Sequence, residues 1–125
     1  MNFPENLRYT KEHEWVKLEG NIATIGITDF AQRELGDIVF VEVESIGKPL
    51  TAGATFGTVE AVKTVSDLYL PVNGTVTELN ALLSTVPESV NNDPYGDGWM
   101  IKMTVENPED VAGLMDATAY GALVG

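Results

Sequence analysis

Short strand-like stretches separated by turn formers fill the first four-fifths of this 125-residue chain, a pattern that leaves little room for a helical core. Glu14 to Leu18 is apolar at alternate positions, and Gly20-Asn21 turns it into Ile22-Ala23-Thr24-Ile25-Gly26-Ile27, so a hairpin is expected. Thr28 or Asp29 can cap a short helix running to Leu35, with Gly36 placed to end it. In Ile38 to Glu44, Val39, Val41 and Val43 are expected on one face, with Glu42 and Glu44 turned toward solvent. Residues 45–57 carry Gly47, Pro49, Gly53 and Gly57 and read as turns around a short strand. Gly57 to Val62 reads as a strand and Leu68 to Val72 as its return, broken by Pro71. Asn73-Gly74 is a turn into the strand Thr75 to Leu79, residues 80–98 form a polar connection, and Trp99 to Val105 is the last strand. Asn107 as N-cap, Pro108 at the first helical position, then Glu109 and Asp110 begin a helix. Val111, Leu114 and Met115 share its apolar stripe, and Asp116 can cap a second short turn through Tyr120 and Leu123.

Many short strands with small helices at the edges imply a mostly β fold, a sandwich or flattened barrel. A length of 125 residues suits one domain, residues 1–125, with the helical segment 107–124 packed on it. Nineteen acids against seven Lys plus Arg leave a formal charge of −12, which argues against nucleic acid or anionic lipid as a partner. Without cysteine there is no disulfide framework, thiolate metal site or thiol nucleophile, and a single His adds little catalytic equipment. The N-terminus, Met1-Asn2-Phe3-Pro4-Glu5-Asn6, lacks the features of a secretory or transit signal, and no window suits a membrane span. The expectation is a bacterial cytoplasmic protein, or a mitochondrial matrix protein if the chain is a mature eukaryotic form.

Lys63 is the only basic residue between Lys48 and Lys102, in a stretch holding Glu60, Asp67, Glu78, Glu88, Asp93 and Asp97. It falls between two candidate antiparallel strands, where a Val62-Lys63-Thr64 tip would turn it outward. Taken alone it is a surface lysine in an acidic field. Its surroundings say more. Glu60-Ala61-Val62-Lys63-Thr64, Asp67-Leu68-Tyr69, Pro71-Val72 and Gly74-Thr75-Val76 resemble the lipoyl-lysine hairpin of glycine cleavage system H proteins. Asn6 to Val16, Ile25 to Ala31, Leu35 to Val39, Val41 to Val43, Asn92 to Trp99 and Ile101-Lys102 are similar to further blocks of that family. The likeness runs in order from about residue 4 to residue 124. Ala61 stands where the family often has Ser, and Thr64 where Ala is common.

The resemblance implies a barrel-sandwich hybrid of two small antiparallel sheets and a monomeric carrier rather than a catalyst. Lys63 would hold lipoate in amide linkage, with Glu60, Val62 and Asp67 as hairpin recognition residues. Its partners would be a pyridoxal-phosphate glycine decarboxylase, a folate-dependent aminomethyltransferase, lipoamide dehydrogenase and the lipoylating enzymes. An aminomethyl group on the reduced arm carries an ammonium, and Asp67, Glu60 or Glu14 could supply a carboxylate to hold it. Three other readings remain open on sequence. One is a carrier that relays lipoyl groups to 2-oxoacid dehydrogenases. Another is a biotin carrier domain, against which Val62 and Thr64 argue, since biotinyl hairpins usually place Met on both sides of the lysine. The last is an acidic binding module without a cofactor. His13, between Glu12 and Glu14, could suggest a metal or proton relay but reads first as a satisfied histidine. Asp93 and Asp97 depart from the EF-hand pattern, and Tyr95 and Trp99 are expected to pack beneath a turn.

Overall fold

A computed structural model describes residues 1–125. Its nine strands pair antiparallel throughout, in two sheets. The larger sheet runs β1 (Arg8–Tyr9), β2 (Glu14–Glu19), β3 (Ile22–Ile27), β9 (Ile101–Val105), β8 (Gly74–Leu79), β5 (Pro49–Leu50). The smaller sheet runs β4 (Ile38–Glu42), β6 (Thr55–Ala61), β7 (Val65–Tyr69). This is the expected barrel-sandwich architecture. Inward residues such as Val16, Ile25, Val76 and Met103 of the larger sheet share one buried cluster with Val41, Val59 and Leu68 of the smaller.

The expected β2–β3 hairpin forms around Gly20, which holds a left-handed φ of 66°. Its other face builds a second cluster of Leu7, Tyr9, Trp15 and Tyr120. Trp15 donates its indole N–H to the Pro94 carbonyl at 2.9 Å, tying the turn-rich connection to this face. A Cβ on its cross-strand partner Gly26 would lie 2.7 Å from the indole nitrogen, so only glycine leaves room for the ring. Tyr95 packs against Trp15 with ring centroids 6.1 Å apart, as expected of a residue beneath a turn.

Helix α1 (Asp29–Leu35) starts at Thr28, whose hydroxyl accepts the Ala31 N–H, and ends at Gly36 with φ 80°. Four details differ from the sequence reading. A bulge between Ile38 and Phe40 breaks the alternation of β4, so Ile38 and Val41 are buried while Val39, expected inward, reaches solvent. The return strand β7 starts at Val65, not Leu68, because Val65, Ser66 and Asp67 pair with Glu60, Val59 and Thr58. Leu70 and Val72, which suggested a strand, are instead buried beyond its end. The connection 80–98 holds a 3-10 turn at Ala81–Ser84 and a short helix α2 (Ser89–Asn92), which bury Leu83 and Val90. Finally, Leu114 and Met115, expected on the stripe of the first C-terminal helix, lie beyond the end of α3 (Glu109–Ala112), where Met115 pairs with Tyr9; the second segment expected after Asp116 forms as α4 (Ala117–Val124). Asp116 caps α4 as expected, accepting the Ala119 N–H, whereas α3 starts one residue later than expected, with Pro108 at its N-cap and the Asn107 side chain accepting the Glu109 N–H. No helix is long and apolar enough to cross a membrane.

Candidate functional site

Lys63 occupies the tip between β6 and β7, as expected, with its neighbours Val62 and Thr64 exposed. The root of the tip is fixed from both sides. Ala61 donates its N–H to the Thr64 carbonyl at 2.7 Å, and Val62 donates to Asp37 at 3.0 Å. Asn91 braces the same corner: its amide oxygen accepts the Ile38 N–H at 2.9 Å, and its NH2 donates to the Gly36 carbonyl and Gln32 Oε1. The Lys63 side chain passes the end of α1, where a Cβ on Gly36 would lie 3.6 Å from Lys63 Cε. The one ion pair of the chain joins Arg33 to Asp29, so Lys63 is exposed and unpaired.

Beside the tip lies a cleft of about 350 Å³. Ile27, Phe30, Ala31, Leu35, Val59 and Leu68 make its apolar lining; Glu12, His13, Glu14, Glu34, Ser66 and Asp67 supply the polar groups. The smaller sheet reaches it through β7, an edge strand, so residues on both faces of that strand border the opening. Ser66 follows Lys63 by three residues, just past the turn.

Glu14 is only 2 % exposed. Its carboxylate accepts the Thr10 hydroxyl at 2.7 Å and, more weakly, the Tyr69 N–H at 3.4 Å from the edge of β7. Burial pushes its pKa up to about 7, against the opposing pull of those two hydrogen bonds. The same residue borders a second cleft of about 330 Å³ toward Leu70, Leu114 and Met115.

His13 is the satisfied histidine that the sequence suggested. Its backbone φ of 69° lies in the left-handed region, which costs a non-glycine residue about 1 kcal/mol. Local contacts hold it there: Nδ1 lies 2.9 Å from the Tyr120 hydroxyl, the ring centroid 4.9 Å from that of Phe30, and the carbonyl accepts the Thr28 N–H. Tyr120 Oη also sits 2.8 Å from Thr28 Oγ1, so one hydroxyl joins α4, the cap of α1 and the cleft wall. Desolvation lowers the His13 pKa and favours the neutral ring.

Of the three carboxylates considered from sequence, the structure brings Glu14 and Asp67 to one cleft. Asp67 is exposed at its lip. Glu60 lies elsewhere, opposite Phe40 and Val65 on the outer face of the smaller sheet. Sequence reasoning missed the contribution of α1, although Phe30, Ala31, Glu34 and Leu35 have the spacing of one helical face. It also missed Tyr120, whose role depends on contacts with Thr28 and His13, 92 and 107 residues away.

Comparison with known proteins gives a consistent result. A family model described as Glycine cleavage H-protein matches residues 7–125. A glycine cleavage system H protein from Pelodictyon phaeoclathratiforme is 61% identical over 127 residues, covering 100% of this chain and 99% of that one. One from Bacteroides fragilis is 57% identical over 124 residues, covering 99% and 98%. The crystal structure of a glycine cleavage system H protein from Mycobacterium marinum superposes with a TM-score of 0.87 at 35% identity, covering 97% of this chain and 98% of that one.

Proposed function

Because this chain belongs to the glycine cleavage H-protein family, the lipoyl carriers of the glycine cleavage system, we propose that Lys63 is its point of lipoyl attachment. The observation that carries the assignment is an exposed, unpaired lysine on a braced hairpin tip, directly beside a cleft with apolar walls and carboxylates. Acylating this amine breaks no ion pair, and an apolar arm finds an apolar surface within reach. Held by Lys63, lipoate would supply a disulfide able to accept the aminomethyl group derived from glycine.

The chain's own residues anchor, shelter and neutralise, and they catalyse no step. Glu14 at the back of the cleft and Asp67 at its lip hold the ammonium of the aminomethyl cargo. The walls formed by Phe30, Leu35 and Leu68 exclude water from it. His13, kept neutral by burial, adds no repelling charge. A chain without cysteine also has no thiol to exchange with the carried disulfide. The enzymes served are a pyridoxal-phosphate glycine decarboxylase, a folate-dependent aminomethyltransferase and lipoamide dehydrogenase, after a lipoylating enzyme has loaded Lys63.

Intact-mass measurement of protein from lipoate-competent cells tests the assignment. One lipoyl increment is expected on the native sequence and none on Lys63→Arg, with exchange of bicarbonate into the glycine carboxyl lost in that variant. No increment on the native sequence, or one that survives Lys63→Arg, would overturn it.

A further inference from the structure

The single histidine of the chain ends a hydrogen-bond relay whose direction follows from its partners. Thr28 is fully buried, and its hydroxyl oxygen already accepts the Ala31 N–H at 3.1 Å. The one acceptor within reach of the Thr28 hydroxyl proton is Tyr120 Oη, 2.8 Å away. Tyr120 is equally buried, and burial pushes its pKa up to about 12, so it keeps a proton of its own. With Thr28 donating to it, that proton goes to its other polar neighbour, His13 Nδ1, at 2.9 Å. Nδ1 therefore accepts, and the ring proton belongs on Nε2. The reverse order, Nδ1–H to Tyr120 to Thr28, leaves a buried hydroxyl proton with no acceptor. Protonating the ring carries the same cost, since both nitrogens then donate. Desolvation also favours the neutral ring, against the pull of Glu12 and Glu34.

His13 lines the cleft beside the lysine tip, and its Nε2 is not buried and has no partner within the chain. With Nδ1 turned to Tyr120, the ring edge open to the cleft carries an N–H rather than a lone pair. The left-handed φ of 69° at His13, strained for a histidine, is held by these same contacts. The difference matters to a cargo held as an ammonium. An imidazole lone pair facing the cleft would be a general base beside it. Cargo that gives up its ammonium proton is open to loss, because the freed nitrogen lone pair drives the carbon–sulfur electron pair onto sulfur. Overall, cargo and one water give thiol, formaldehyde and ammonium, with one proton ending on sulfur. We propose that Thr28 and Tyr120 are positioning residues that lock the His13 tautomer, so that the cleft receives a hydrogen-bond donor and the cargo meets no imidazole base. The proposal rests on the cleft sheltering an aminomethyl cargo.

The first measurement needs no cofactor. A long-range proton–nitrogen NMR spectrum of the unmodified full-length protein, labelled with nitrogen-15, reads the two ring nitrogens, and a single histidine makes them unambiguous. Nδ1 should appear unprotonated and Nε2 protonated. Tyr120→Phe should move both toward the average of the two tautomers, whereas Thr28→Ser, which keeps the hydroxyl, should leave the native pattern. A protonated Nδ1, or averaged nitrogens, in the native chain would overturn the lock. The second measurement follows ammonia released by lipoylated, aminomethyl-loaded protein. Release should rise about tenfold in Tyr120→Phe, since a base that faces the cargo part of the time delivers less than the ~100-fold of a positioned one. Combining Tyr120→Phe with His13→Asn should restore the native rate, because asparagine tolerates the left-handed backbone and supplies no base. A native rate in Tyr120→Phe would overturn the shielding role. So would an equal rise in the double variant, which would mean a loosened cleft rather than a freed base. No lipoyl adduct on the native chain would instead overturn the cargo reading, and the spectrum would still decide the lock.

Discussion

Replacing Glu14 with Gln separates the energetic cost of a buried carboxylate from its use. The ordinary carboxyl value is 4.5, and burial raises Glu14 to about 7. Between those values the folded protein keeps a proton that the unfolded chain has released. Unfolding then releases that proton, so this group's contribution falls as pH rises through the window. The full difference is worth about 3 kcal/mol above pH 7. Between pH 5 and pH 8.5 the change is about 2.5 kcal/mol, since the unfolded carboxyl is already mostly ionised at pH 5. Glu14→Gln removes this dependence, and its amide oxygen can still accept the Tyr69 N–H while its NH2 donates to the Thr10 hydroxyl. Urea unfolding of both proteins at the two pH values is the assay. The stability of the variant minus that of the native chain should rise by about 2.5 kcal/mol toward pH 8.5, and a difference flat across that range would refute the buried-carboxylate account. In the loaded carrier the sign of the effect reverses. An ammonium in the cleft favours the ionised carboxylate, so at pH 8.5 spontaneous loss of the aminomethyl group should be about ten to a hundred times faster in Glu14→Gln. Equal rates would remove Glu14 from the holding role.

Two further substitutions test the scaffold. Gly26→Ala should lower stability by about 1–3 kcal/mol in thermal unfolding, because its Cβ overlaps the Trp15 indole and forces the ring from its bond to Pro94. Asn91→Ala should cost about 2–3 kcal/mol and speed amide hydrogen exchange at Ile38, since it strips three bonds from the corner that braces the lysine tip.

The parts of this molecule legible in sequence are those whose signals are local. The β2–β3 hairpin announced itself by alternation and by Gly20-Asn21, and α1 by Thr28 and Gly36. Lys63 stood out by isolation and motif. The bulge at Val39 carried no such signal, because Ile38-Val39-Phe40-Val41 offers an apolar residue in either phase and only pairing with β6 decides. Val65-Ser66-Asp67 offers one apolar residue in three, so the sequence reading places the return strand at Leu68 to Val72, yet these three residues pair at an open edge where polar side chains meet water. Glu14 was legible as a candidate but not as a buried group. Its neighbours Glu12 and His13 suggest a solvated surface, and its burial comes from Thr10 and from Tyr69, fifty-five residues away. The cleft as a whole draws on residues 12–14, 27–35 and 59–68, which no single window of sequence unites.

The contact between His13 and Tyr120 spans 107 residues, whereas Ala61 and Thr64 close the lysine tip across three. Loop-closure entropy makes the tip the cheaper structure to form and the cleft the later one. During synthesis the hairpin and its pairing with β4 can assemble while Tyr120 has not yet been added, so the surface that presents the lysine precedes the wall that shelters its cargo. The order of folding thus follows the order of use, with attachment provided for before protection.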